Sequence, residues 1–136
     1  MEARPAGRAT TEERVFMAST LYVCVTCRNA DDASEPRPGA RLFAAVAAEA
    51  NDLTVVPVEC LSNCQRSCSA AVTAPGKWTY VVGHLDPACH VGDILQFARA
   101  HQAHPDGLPV WRERPEHVRK NTIARVPPMP ILKEST

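Results

Sequence analysis

Five of the six cysteines fall into two groups. Cys24 and Cys27 stand three positions apart in YVCVTCR, and Cys60, Cys64 and Cys68 follow at four-residue steps in ECLSNCQRSC; Cys89 stands alone. Thiolates are soft donors, and a dense set of them favours zinc, copper(I) or iron–sulfur clusters over hard cations. Three chemistries compete for these residues. Four thiolates can hold an iron–sulfur cluster. Four can hold a structural zinc. Cys24-Val25-Thr26-Cys27 by itself can act as a dithiol redox centre, the motif that C-x-x-C beside a β-α-β pattern suggests. Zinc ribbons pair two C-x2-C knuckles about 15–20 residues apart, whereas 32 residues separate Cys27 from Cys60 here. The dithiol reading leaves Cys60, Cys64 and Cys68 without a role, and the cluster reading uses four of the five thiols. Buried structural cysteines are the bland alternative, and two dense groups weigh against it.

The chemistry requires elements that bring the two groups together. Leu21 to Cys24 is a short apolar run that predicts a buried strand. The turn-rich stretch RNADDASEPRPGA predicts a loop. Helix follows in ARLFAAVAAEAND, with Leu42 and Val46 on its inward face and abundant alanine favouring the state. LTVVPVEC is β-branched and predicts a second strand, which Pro57 confines to an edge or a bulge. SAAVTAPGKWTYVVG has the form of a hairpin, with Pro75-Gly76 supplying the fixed φ and the positive φ of a type II turn. Asp86 and Pro87 then predict the start of a helix, with Val91, Ile94, Leu95 and Ala98 on its inward stripe.

The resulting order is β-α-β, a β-hairpin and a C-terminal helix, an α/β domain of thioredoxin-like topology whose helices cover the sheet faces. A strand–helix–strand unit pairs its strands in parallel by a right-handed crossover. Cys24 and Cys60 then close two strands at the same edge of one sheet, where ligands gather in open α/β sheets. The organisation read from the sequence is a flexible leader over residues 1–18, the metal-binding domain over 19–104, and an extended Pro-rich basic tail over 105–136.

Composition narrows the function. Fifteen basic residues balance fifteen acidic ones and aromatics make up 5% of the chain, so neither a polyanion binder nor a base-stacking platform is expected. No apolar run approaches the roughly 20 residues of a membrane helix. The first twenty residues mix charges of both signs and lack the apolar core of a secretory signal. The expected compartment is the cytoplasm, whose reducing poise disfavours structural disulfides. No Ser-His-Asp arrangement, phosphate loop or pair of catalytic carboxylates is visible, which points away from an enzyme and toward a non-catalytic carrier.

The segments YVCVTCR, ECLSNCQRSCSAAVTAPGKWTYVVG, WRERPE and ARVPP resemble an uncharacterised bacterial family of predicted metal-binding proteins, over roughly residues 20 to 128. VC closing the first strand and VECLSNC closing the second are similar to the thioredoxin-like [2Fe-2S] ferredoxins, which pair two early cysteines with a later C-x3-C. The resemblance implies one [2Fe-2S] cluster held by Cys24, Cys27, Cys60 and Cys64. It further implies an electron-transfer role with a protein redox partner, a link to cobalamin or other metal-cofactor metabolism, and a homodimer. Two departures bear on the ligands. Cys24 and Cys27 are closer together than the first two cysteines of those ferredoxins, and Cys68 has no counterpart there, so Cys68 is an alternative to Cys27 or Cys64.

The remaining candidates are secondary. Backbone N–H groups from Leu61 to Ser69 can donate to cluster sulfurs, and Arg28 and Arg66 can offset charge or be solvated. His101 and His104 stand at helical i, i+3 spacing and read as a solvated helix end before a metal pair; His84 and His90 flank the exit of the hairpin. Trp78 and Tyr80 read as core packing. Trp111, Arg112, Arg114, Arg119, Lys120 and Arg125 form a basic stretch, read either as solvated packing or as a docking face for an acidic redox partner.

Overall fold

A computed structural model of the chain describes residues 18–26, 35–61 and 68–129. Among these residues five strands and three helices run in the order β1 (Thr20–Cys24), α1 (Pro38–Glu49), β2 (Thr54–Val58), β3 (Ala70–Thr73), β4 (Thr79–Val82), α2 (Val91–Ala103), a 3-10 turn (Trp111–Glu113), α3 (Glu116–Asn121) and β5 (Thr122–Val126). The strands form one sheet in the order β2-β1-β3-β4-β5. β1 and β2 pair in parallel, as a crossover through α1 demands; the pairs β1/β3, β3/β4 and β4/β5 are antiparallel.

Sequence dictates much of this locally. Pro57 lies on β2, an edge strand, where a missing N–H costs no ladder bond. The hairpin closes through a bond from Lys77 N–H to the Ala74 carbonyl (3.1 Å), with Gly76 at φ +74. That is the type II turn predicted for Pro75-Gly76, and only glycine adopts its third position without strain. Pro38 opens α1, where its fixed φ suits the first helical turn.

Alternation decides the core. Leu21, Val23, Ala70, Val72, Tyr80 and Val82 are buried and fall on one face of the sheet by their register. Leu42 and Val46 of α1 and Ile94, Leu95, Phe97 and Ala98 of α2 pack against them in the same cluster. Burying each of the Val, Leu, Ile and Phe side chains contributes about 1.5–3 kcal/mol. The sequence predicted helices over the faces of the sheet; both long helices instead share this one face.

Two further expectations change. Residues 105–136 were expected to form an extended tail. Its described part instead carries the 3-10 turn, α3 with Val118 fully buried, and β5 as the fifth strand. Backbone pairing with β4 satisfies the groups that its prolines and charges made look solvated. Asp86 and Pro87 were expected to start α2. They form a separate turn: Asp86 Oδ1 accepts from Ala88 N–H (2.8 Å), the Asp86 N–H donates to His90 Nδ1 (2.8 Å), and the helix begins at Val91. Of the proposed leader over residues 1–18, residues 1–17 lie outside the described ones.

Candidate metal centre

The parallel register aligns Cys24 with Val58, so the chain leaves both strands at the same edge and Cys60 follows two residues later. Two bonds hold the exits together: Val25 N–H donates to the Val58 carbonyl (2.9 Å), and Cys24 Sγ donates to the Glu59 carbonyl (3.4 Å). Thr26 adds a third tie, its hydroxyl donating to the same Glu59 carbonyl while lying 3.7 Å from Cys24 Sγ. Cys24 is therefore held beside the backbone that carries Cys60.

Cys68 arrives from the other side. Cys24 N–H donates to the Ser69 carbonyl (3.1 Å), which extends the β1/β3 ladder past its last paired residue. Cys68 and Leu85 exchange backbone bonds of 3.2 and 2.9 Å, extending the hairpin in the same direction. Three cysteines thus converge on one rim: Cys24 and Cys68 are buried and Cys60 is exposed. Cys27 and Cys64, with Arg28 and Arg66, lie outside the described residues. Among the described residues no group of three or more His, Cys, Asp or Glu side chains is arranged to hold a metal ion.

The loop donors expected between Leu61 and Ser69 are reduced by one, because the Cys68 N–H is committed to Leu85. A charge that sequence reasoning missed takes a place at the rim. Arg37 precedes α1, and its Nη1 donates to the Thr26 carbonyl (3.2 Å), between Cys24 and Cys27 in the chain. The signal available was a basic residue just before a Pro-Gly helix start. The same contact brings the N-terminus of α1, with its partial positive charge, to the thiol end of the sheet.

The histidines take other roles. His101 is fully buried, not solvated. Its Nε2–H donates to the Trp78 carbonyl (2.6 Å), and its Nδ1 accepts from the Ser19 hydroxyl (2.6 Å). Burial, above all, holds its pKa below the usual histidine value. His104 pairs with Glu113 (2.7 Å) and so does not join His101 in a metal pair. His90 stacks on His117 with ring centroids 3.7 Å apart, and desolvation followed by the neighbouring ring lowers its pKa. His84 is exposed at φ +53. Cys89 is an exposed free thiol in the turn before α2. Tyr80 is buried edge-on to Phe97 and Trp78 is half-buried, as core packing requires. A cleft of about 700 Å³ opens at the opposite end of the sheet, among Thr20, Thr73, Thr79, Val126 and Met129, and gathers no thiol or carboxylate.

A family profile described as "Protein of unknown function (DUF1636)" matches residues 21–128. The chain belongs to this family. The match runs from Leu21 within β1 to beyond β5, and so includes α3 and β5. No curated protein matches the chain. Solved structures share the architecture. One, a thioredoxin-like [2Fe-2S] ferredoxin from Aquifex aeolicus, superposes with a TM-score of 0.53 at 16% identity, covering 85% of this chain and 98% of that one. A crystal structure of the wild-type thioredoxin-like [2Fe-2S] ferredoxin from the same organism gives 0.50 at 16% identity, covering 79% and 97%. The DUF1636 chain accordingly has a thioredoxin-like α/β fold. No described helix is long and apolar enough to cross a membrane.

Proposed function

We propose that the chain is a small cytoplasmic electron-transfer protein that binds one [2Fe-2S] cluster through cysteine thiolates at this rim. The observation that carries the reading is the convergence of Cys24, Cys60 and Cys68, from three strand ends, on one edge of the sheet. The donor set is all sulfur, which suits iron or zinc and not a hard cation. Cys24 and Cys60 are proposed ligands; Cys27 and Cys64 complete the set that the family resemblance implies, and Cys68 is the alternative to either of these two.

A bound cluster would supply a one-electron couple. The chain's residues do the rest. Buried Cys24 keeps one side of the site dry, and exposed Cys60 opens the other to a partner. The Arg37 guanidinium brings positive charge beside an anionic centre, which favours its reduced form and raises its potential. A protein redox partner, service to cobalamin or other metal-cofactor metabolism, and a homodimer belong to the same proposal.

Anaerobic purification tests it. The expected product is brown, with iron and acid-labile sulfide in equal amounts. Cys24→Ser and Cys60→Ser should lose or strongly alter the visible spectrum, and Cys89→Ser should preserve it. A colourless protein with one zinc would refute the iron reading. So would metal-free protein that reduces insulin disulfides and loses this activity in Cys24→Ser.

A further inference from the structure

The chain is neutral overall, yet residues 110–126 hold five basic side chains (Arg112, Arg114, Arg119, Lys120 and Arg125) against two acidic ones (Glu113 and Glu116). Both carboxylates are occupied: Glu113 accepts from His104 Nε2 and Glu116 from Lys120 Nζ, each at 2.7 Å. These bonds are the main reason that both carboxyls sit below their ordinary pKa. Among the described residues none of the four arginines forms an ion pair. Arg112 and Arg119 act on Glu113 and Glu116 only through space, as the smallest of the contributions there.

The arginines also frame an aromatic. Trp111 is 64% exposed and Val110 47% exposed. Arg114 and Arg119 lie over the Trp111 ring, with Cζ 5.8 and 5.5 Å from its centroid. Backbone carbonyls hold both guanidiniums in place: Arg114 Nε donates to Pro109 (2.9 Å) and Arg119 Nη1 to Arg114 (2.8 Å). Val110, Trp111 and Arg112 border a shallow, largely open apolar cleft. Tryptophan and arginine are the residue types that dominate binding hot spots. A guanidinium already fixed by its neighbours loses little freedom when it takes a carboxylate, and its planar fork matches that group.

We propose that this surface docks an acidic segment of a protein partner, with carboxylates on Arg112 and Arg119 and an apolar side chain in the cleft beside Trp111. Charge complementarity selects the partner's sign. The apolar cleft selects protein over nucleic acid, because Trp111 is the one aromatic among the large exposed hydrophobic side chains described and no stacking platform surrounds it. The surface also leads toward the thiol rim. His117 of α3 donates to the Gly83 carbonyl (3.1 Å), two residues before the Leu85 that pairs with Cys68. The docking site stands independently of which metal the rim holds.

The test uses the full chain and three probes: a glutamate dodecapeptide with one central leucine, its lysine counterpart, and a thymidine dodecanucleotide. NMR of the backbone amide N–H groups of residues 110–114 and 116–126 reads the binding. The expected result is a saturable shift with the glutamate peptide alone, weakened by salt. Affinity should fall about tenfold or more in Trp111→Ala and in Arg119→Glu. Arg112→Glu, at an exposed position, provides the same comparison should Arg119→Glu fail to fold. The proposal is overturned by the absence of a saturable shift, by tighter binding of the oligonucleotide, or by unchanged affinity in folded variants.

Discussion

Single residues carry three sharp consequences. The Tyr80 ring is buried against Phe97, with centroids 5.0 Å apart, while its hydroxyl has no hydrogen-bond partner among the described residues. A buried polar group without a partner costs about 1–3 kcal/mol. Tyr80→Phe should therefore leave the fold intact and raise the unfolding free energy by about 1 kcal/mol in a urea titration. Gly107 behaves oppositely. It sits at φ +71, and a Cβ there would lie 2.7 Å from Lys77 Cβ and 2.8 Å from His101 Nε2. Gly107→Ala should cost about 1–3 kcal/mol, read as a lower melting temperature. At the rim, Arg37→Gln removes a positive charge beside the proposed cluster. It should lower the midpoint potential in a spectroelectrochemical titration while the cluster remains bound; an unchanged potential would remove Arg37 from the site.

Among the elements, β5 carries the clearest consequence. It pairs with β4 from Thr79 to Val82 and leaves β4 an interior strand. A chain ending before Thr122 would expose the β4 edge and the ladder groups that β5 satisfies. Such a truncation should unfold at lower denaturant concentration and self-associate, measurable by circular dichroism and light scattering. The sequence signal for β5 was weak. Thr122-Ile123-Ala124-Arg125-Val126 is short, charged and followed by two prolines, and its partner lies about forty residues earlier in the chain. Strands β1 to β4 were legible because short apolar or β-branched runs and a type II turn mark them locally. The inward stripes of α1 and α2 were legible because helical periodicity is also a local property.

For the whole molecule, buried His101 and half-buried His90 set a pH dependence. His90 and His101 both have folded-state pKa values below the ordinary one, burial being the largest cause. The unfolded chain then takes up protons, near a pKa of about 6.5, that the folded chain resists. Their contribution to stability is complete above that value and is lost as the pH falls from it through the lower folded-state pKa values. Unfolding free energy should therefore decline from pH 7 toward pH 5, most of it through His101, the more buried of the two. A His101→Gln variant that still folds should show a shallower decline. A wild-type profile flat over that interval would contradict the assignment of a neutral, doubly bonded His101.

The sequence alone determined the strand–helix order from β1 to α2, the hairpin turn, the inward helical faces and the shared sheet end of Cys24 and Cys60. Each depends on nearest-neighbour chemistry, a short period, or the handedness of one crossover. Only the tertiary structure decided that both long helices share one face, that β5 completes the sheet, that His101 is buried between Ser19 and Trp78, and that Arg114 and Arg119 stack on Trp111. Those outcomes depend on segments far apart in the chain competing for the same space, and no local pattern encodes which of them wins.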